Sequence, residues 1–242
     1  MMRKMAESVA DAGMLLRLSL RLQFGRRAWL VPALALLCPS YHALTVLVGW
    51  HQLPFDAADV QNGLIGIPLV VLAIGLGVRV IAAEIEQRTL EVAYTVPGGA
   101  RRVWIAKLGA AAAPLLVAGL LLALIAAVFF ARYPFSSVYG ALQGAAFYLV
   151  LAAGLGALLR NEITAALVAS VVLGLNAALT GFGNAPSRWS PLFNPLVVKN
   201  ATATDILAWT VQNRIGFALL IVSLVTLTCS RAERREKLLN MS

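Results

Sequence analysis

Apolar residues in this chain fall into six long runs, at about 29–50, 63–83, 108–131, 138–159, 163–180 and 215–229, separated by short polar stretches. At a rise of about 1.5 Å per residue, a helix of roughly 20 residues covers the ~30 Å hydrocarbon core of a bilayer. Strand-length alternation of apolar and polar positions, which a membrane barrel needs, is not seen. The pattern predicts an all-α integral membrane protein with six transmembrane helices. The last run is short and is expected to tilt or to draw on its flanks.

Particular residues refine the runs. Trp29 and Trp50 bracket the first as interfacial anchors, and Pro39 within it is expected to kink the helix. Gly66, Gly75 and Gly77 in the second run let another helix come close, and Arg79 near its end can reach toward the interface. Gly140 and Gly144 have the GxxxG spacing, a weak packing signal, while Gln143 and Asn176 are expected to hydrogen-bond between helices. Segment 14–27 is leucine-rich with Arg17 and Arg21 one turn apart, which reads as an amphipathic helix lying on the membrane surface. Segment 181–212, with Pro186, Pro191, Pro195, Phe182, Trp189 and Phe193, is too polar to span and too apolar for a free linker. Short helices or a re-entrant piece at the interface are expected there, with Phe182, Trp189 and Phe193 as a candidate docking face for an outer partner.

Composition agrees with the runs. Apolar residues make up 60% of the chain and charged residues 13%, about half the charged share of a soluble domain. The net charge of +9 alone would suit nucleic acid, but the basic residues stand at the ends of the runs, so no nucleic-acid partner is expected. Six spans place both termini on one side, and sixteen of the twenty Lys and Arg residues fall there. Only Arg132, Arg188, Lys199 and Arg214 remain opposite, so the positive-inside rule orients the chain. Residues 1–28, the basic tail 230–242 and segment 84–107 are expected in the cytoplasm, in a multi-pass protein of the cell (inner) membrane. Glu7 and Asp11 follow Arg3 and Lys4 where a cleaved signal peptide would have an apolar core. Cys38 and Cys229 lie in apolar surroundings and read as packing residues.

Segment 84–107 is the longest charged interruption. In helical projection Glu84, Gln87, Arg88 and Glu91 share one face and Ile85, Thr89, Val92 and Val96 another, before a Pro97-Gly98-Gly99 break. The Glu84/Arg88 spacing supplies only a few tenths of a kcal/mol to a helix, about 0.2–0.5. Self-stabilisation is therefore a poor explanation, and a partner surface a better one. Catalytic chemistry finds no footing: His42 and His51 are the only histidines, and neither a Gly-x-Ser-x-Gly elbow nor a P-loop occurs. No Asp or Glu lies mid-span, which disfavours an ion-coupled transporter or a channel, and an enzyme is disfavoured further.

Read as E-x-E-x-x-T-L-E-x-x-x-x-x-P-x-x-x-R-R-x-x-x-x-K, segment 84–107 resembles the cytoplasmic loop after the second span of ABC-2 type transporter permeases. Glu84 and Glu86 match its acidic cluster, Thr89-Leu90-Glu91 its Thr-hydrophobic-Glu triplet, Pro97 its proline, Arg101 or Arg102 its basic residue, and Lys107 the lysine entering span three. Arg88 stands where the family often has Gly, and the Gly98-Gly99 pair is a further departure. The order of elements along the whole chain is similar too. The resemblance implies the ABC-2 (type V exporter-like) fold, with an N-terminal interface helix and a cytoplasmic coupling helix between spans two and three. It further implies a permease homodimer served by two ATP-binding cassette subunits, which hold the ATP and Mg. The chain itself would bind no cofactor and no metal and would catalyse nothing. Glu84, Glu86, Arg88, Thr89, Glu91, Pro97, Arg101, Arg102 and Lys107 would carry the ATPase coupling. The expected function is export of a hydrophobic or amphipathic substrate. The alternative is a membrane anchor that passes ATPase motion to a periplasmic or extracellular protein.

Overall fold

A computed structural model of the chain describes residues 29–49, 55–86, 100–180, 187–199 and 201–233. The surface helix expected at 14–27, the tail beyond 233 and Phe182 lie outside the described residues. All regular structure among the described residues is helical. We number the helices α1 (Leu30–Ala35), α2 (Leu37–Leu47), α3 (Ala57–Glu86), α4 (Ala100–Ile125, prolonged by a π-helical turn at Ala126–Phe130), α5 (Phe135–Leu159), α6 (Glu162–Leu179) and α7 (Ala203–Glu233). Five of them, α3 to α7, are long and apolar enough to cross a membrane.

The first predicted span is two shorter helices. Ladder bonding breaks at Leu36, where the chain passes from α1 into α2. Pro39 accounts for the position of the break: its ring conflicts with the carbonyl four residues back, at Ala35, and its missing N–H is harmless in the first turn of a new helix. The last span departs from expectation in the other direction. Far from being short, α7 begins at Ala203, so the residues from there to 212 are the first turns of the last helix and not an interfacial piece. Thr202 starts it, accepting from the Asp205 N–H at 3.2 Å and donating to the Asp205 carboxylate at 2.6 Å. Polar residues misled the reading because Asn213 is turned into the protein, where it is 3% exposed.

The most extensive contact in the molecule is between α3 and α5. Gly77 sits against the backbone carbonyl of Leu149, and a Cβ there would also come within 2.8 Å of the Ala152 methyl. The facing side of α5 is a run of small buried residues, including Ala145, Ala152, Ala153 and Gly156. Without a solvent-driven hydrophobic effect between membrane helices, such close approach supplies the van der Waals contact that holds them. Helices α4, α6 and α7 pack around this pair, and bulky apolar side chains such as Leu47, Phe129 and Leu179 point outward. Of the other expected close-approach glycines, Gly66 meets the Gln61 carbonyl of its own helix, while Gly75 faces open space.

Residues 187–198, irregular apart from one 3₁₀ turn at Pro195–Val197, are folded onto one end of the bundle rather than left at its edge. Asn194 donates to the Ala58 carbonyl at 2.8 Å, and Asn213 donates to the carbonyls of Arg188 and Ser190 at 2.8 and 2.9 Å. Of the two glycines expected as a helix-packing seam, Gly140 meets side chains of two other helices, Arg214 of α7 and Gln61 of α3, whereas Gly144 seats this segment: a Cβ there would lie 2.8 Å from Leu192 and 2.9 Å from the Pro191 carbonyl. At Gly77, Val should overpack the α3–α5 contact and cost about 1–3 kcal/mol, read as a lower unfolding temperature in detergent, whereas Ala at Gly75 should leave that temperature nearly unchanged.

Candidate functional site at the charged end of the bundle

The ends of α3, α5 and α7 and the starts of α4 and α6 come together at one end of the molecule. Glu84 and Lys107, separated by 23 positions, form an ion pair that joins the last turn of α3 to the second turn of α4. The Lys107 side chain is 7% exposed and that of Glu84 24%. A buried ammonium is tolerable only with a carboxylate and further contacts. Trp104, one turn before Lys107, adds the face of its indole at 5.3 Å from the Lys107 nitrogen. Trp104 itself is 2% exposed. Sequence reasoning passed over it, although the Trp-x-x-Lys spacing, which places both on one face of a helix, was the available signal.

Glu86 makes a second connection. One carboxylate oxygen accepts from the Asn161 side-chain amide at 3.1 Å and from the Glu162 backbone N–H at 2.9 Å. Helix α6 therefore begins with one of its four unpaired N–H groups answered by a carboxylate from α3, the sign its dipole favours. Asn161 caps the same helix from within, accepting from the Thr164 N–H at 2.8 Å. The reversal from α5 into α6 passes through Arg160 in the left-handed region, φ 59°, so the three residues between the runs ending at 159 and starting at 163 form a tight turn.

The predicted coupling residues thus separate into three groups. Glu84, Glu86 and Lys107 are internal fasteners. Arg101 and Arg102 are exposed in the first turn of α4 and make no hydrogen bond or ion pair among the described residues. A helix N-terminus disfavours cations, so these two do nothing for α4 itself. Arg88, Thr89, Glu91 and Pro97 lie outside the described residues. At the opposite end, Trp189 is 70% exposed but Phe193 only 2%. This corrects the expected aromatic docking face: Phe193 is held inward because its carbonyl accepts from Gln61 at 2.9 Å and from Arg214 at 3.4 Å. Gln143 is satisfied as expected, donating to the Arg214 carbonyl at 2.6 Å and accepting from its guanidinium at 3.2 Å. Asn176 is not: its side-chain nitrogen is buried with no partner.

Comparison of the chain with protein-family models, curated proteins and solved structures finds no match. The charged end therefore has to be interpreted from its own geometry. Among the described residues it offers no nucleophile paired to a base; it offers the two fasteners and two arginines without a described partner. Replacing Lys107 by Met should destabilise the protein by about 1.5–3 kcal/mol, the range for losing a hydrogen bond to a charged group. Adding Glu84→Gln should recover part of that loss, and a thermal double-mutant cycle measures the coupling.

Proposed function

We propose that this chain is the membrane subunit of an ATP-binding cassette transporter of the ABC-2 kind, driven by separate ATPase subunits that dock on segment 84–107. The observation that carries the proposal is the pair of fasteners at the ends of that segment. Glu84 and Lys107 tie its two ends, so a force applied between them acts on α3 and α4 together. Glu86 passes the same displacement to the start of α6. Unengaged Arg101 and Arg102 suit an acidic surface on a partner, and the positive-inside bias supports a cytoplasmic location for it.

In this reading α1 and α2 together serve as an interrupted first span, giving six with α3 to α7. A P-loop is absent from the sequence, so ATP and Mg belong to the partner chains. A second copy of the chain would complete the translocation path, and the broad outward apolar faces of α6 and α7 suit such a copy as well as lipid. Closure of the ATPases would tilt α3, α4 and α6 as connected bodies, and a hydrophobic or amphipathic substrate would pass between protomers. The anchor alternative rested on the aromatic face of 181–212, and the burial of Phe193 removes one of its three residues.

Co-reconstitution with the ATPase in proteoliposomes provides the test, with an amphipathic fluorescent dye as cargo. Glu91→Lys should lower ATP-dependent dye efflux by about tenfold or more while ATP hydrolysis continues, corresponding to a lost coupling of about 1–3 kcal/mol. Undiminished efflux counts against the assignment. Glu86→Ala should also reduce efflux, with ATPase binding retained.

A further inference from the structure

No charged residue occurs between Arg214 and Arg231 in α7. At a rise of 1.5 Å per residue these two arginines stand about 26 Å apart along the helix, close to the ~30 Å thickness of a hydrocarbon core. With the exposed Arg231 at one phosphate layer of a bilayer, Arg214 falls at the border of the other. A long basic side chain in that position can extend its head outward to water. This one is held against α5 instead. Its guanidinium lies over the Tyr139 ring at 5.7 Å, and the bare backbone of Gly140 leaves the room that a Cβ would take from Nη2.

Every oxygen that the guanidinium meets is neutral. Nη1 donates to the side chains of Gln143 at 3.2 Å and Asn213 at 3.5 Å, and Nη2 donates to the Phe193 carbonyl at 3.4 Å, an acceptor that Gln61 already shares. A guanidinium has five N–H groups, so Nε–H and one N–H of Nη2 are left without an acceptor among the described residues. These two nitrogens stand side by side, the fork that matches two oxygens of a phosphate. They are not sealed in: Arg214 is only partly buried, and none of its atoms is among the buried side-chain atoms left without a partner. Its charge is uncancelled as well. Arg214 makes no ion pair among the described residues, and the acidic residues at this end, Asp56, Asp59 and Asp205, are exposed.

A charge at this depth is costly until a counter-charge reaches it. At the border of the hydrocarbon the anion at hand is a lipid phosphate. One turn deeper along α7, Phe217 meets Phe147 edge to face at 5.3 Å, and exposed Ile215 and Leu219 continue the apolar surface of the same helix. Acyl chains of a molecule whose head sits on Arg214 would find that surface beneath it. We propose that Arg214 is the binding site of an anionic phospholipid, its phosphodiester accepting from Nε and Nη2 and its chains lying along α7. The bound head would reinforce the clamp on residues 187–198, because the same guanidinium holds the Phe193 carbonyl. The site does not depend on the ATPase reading of the charged end.

Native mass spectrometry of the purified full-length chain tests the proposal with dioleoyl phosphatidylglycerol against two lipids of the same chains. Dioleoyl phosphatidylcholine has no net charge, and dioleoylglycerol lacks the phosphate. Phosphatidylglycerol should be retained about tenfold better than either, the scale of one hydrogen bond to a charged group, and excess inorganic phosphate should not displace it. Arg214→Gln should remove the preference, whereas Lys199→Gln, which removes an exposed cation at the same end, should keep it. The lipid series on the unmodified chain decides alone if Arg214→Gln does not fold. Retention of either control lipid equal to that of phosphatidylglycerol, displacement by inorganic phosphate, as for a free-anion site, persistence of the preference in Arg214→Gln, or its loss in Lys199→Gln would each overturn the proposal.

Discussion

A polar group removed from water must find its partner inside the protein, and that constraint organises both ends of this molecule. At one end it pairs Lys107 with Glu84 and brings the Glu86 carboxylate to the start of α6. At the other it turns Gln61, Gln143, Asn213 and Arg214 inward and clamps residues 187–198 onto the helices. Arg214 shows how the constraint is met without a carboxylate. Its guanidinium uses the neutral oxygens of Gln143, Asn213 and Phe193 and lies over the Tyr139 ring at 5.7 Å. Among the described residues, side-chain atoms of Gln61, Asn62, Trp104, Ser137, Tyr148 and Asn176 are buried without meeting it.

Between the two ends the described helices are joined chiefly by close contact. The Gly77 approach to Leu149 lets α3 and α5 touch nearly backbone to backbone, so the pair behaves as one stiff element. Gly156 repeats the approach farther along, where a Cβ would lie 3.1 Å from the Val78 carbonyl. Packed cores respond to force by switching arrangement rather than by bending continuously. A displacement entering at Glu84 and Glu86 would therefore move the α3–α5 pair as a unit, together with the segment clamped at its far end.

Much of the architecture was legible from hydrophobic run length, because a bilayer imposes a length on each helix whatever else the sequence does. The tight turn at 160–162 and the inter-helix role of Gln143 were legible for the same reason: few alternatives exist in an apolar medium. The break at Leu36 was legible from Pro39, whose ring conflicts with the Ala35 carbonyl. Two features were not. The start of α7 at Ala203 was hidden because Asn213 and Arg214 look like loop residues until the buried carbonyls they serve are known. The inward turn of Phe193 is likewise decided by Gln61 and Arg214, which are remote in sequence. At the charged end the pairing of Glu84 with Lys107 and of Glu86 with the start of α6, with Arg101 and Arg102 exposed and unpartnered among the described residues, is a three-dimensional fact. Glu86 illustrates the difference, since its partners at Asn161 and Glu162 lie 75 and 76 positions away.

The proposed role makes this a chain moved by another protein that grips segment 84–107. Its most direct test is the mass of the intact assembly, purified through this chain from its native membrane in mild detergent with a non-hydrolysable ATP analogue. The proposed role requires two copies of this chain with two copies of a nucleotide-binding chain, and loss of those partners when Arg101 and Arg102 are both changed to Glu. Recovery of the chain alone, or with partners that bind no nucleotide, would contradict it.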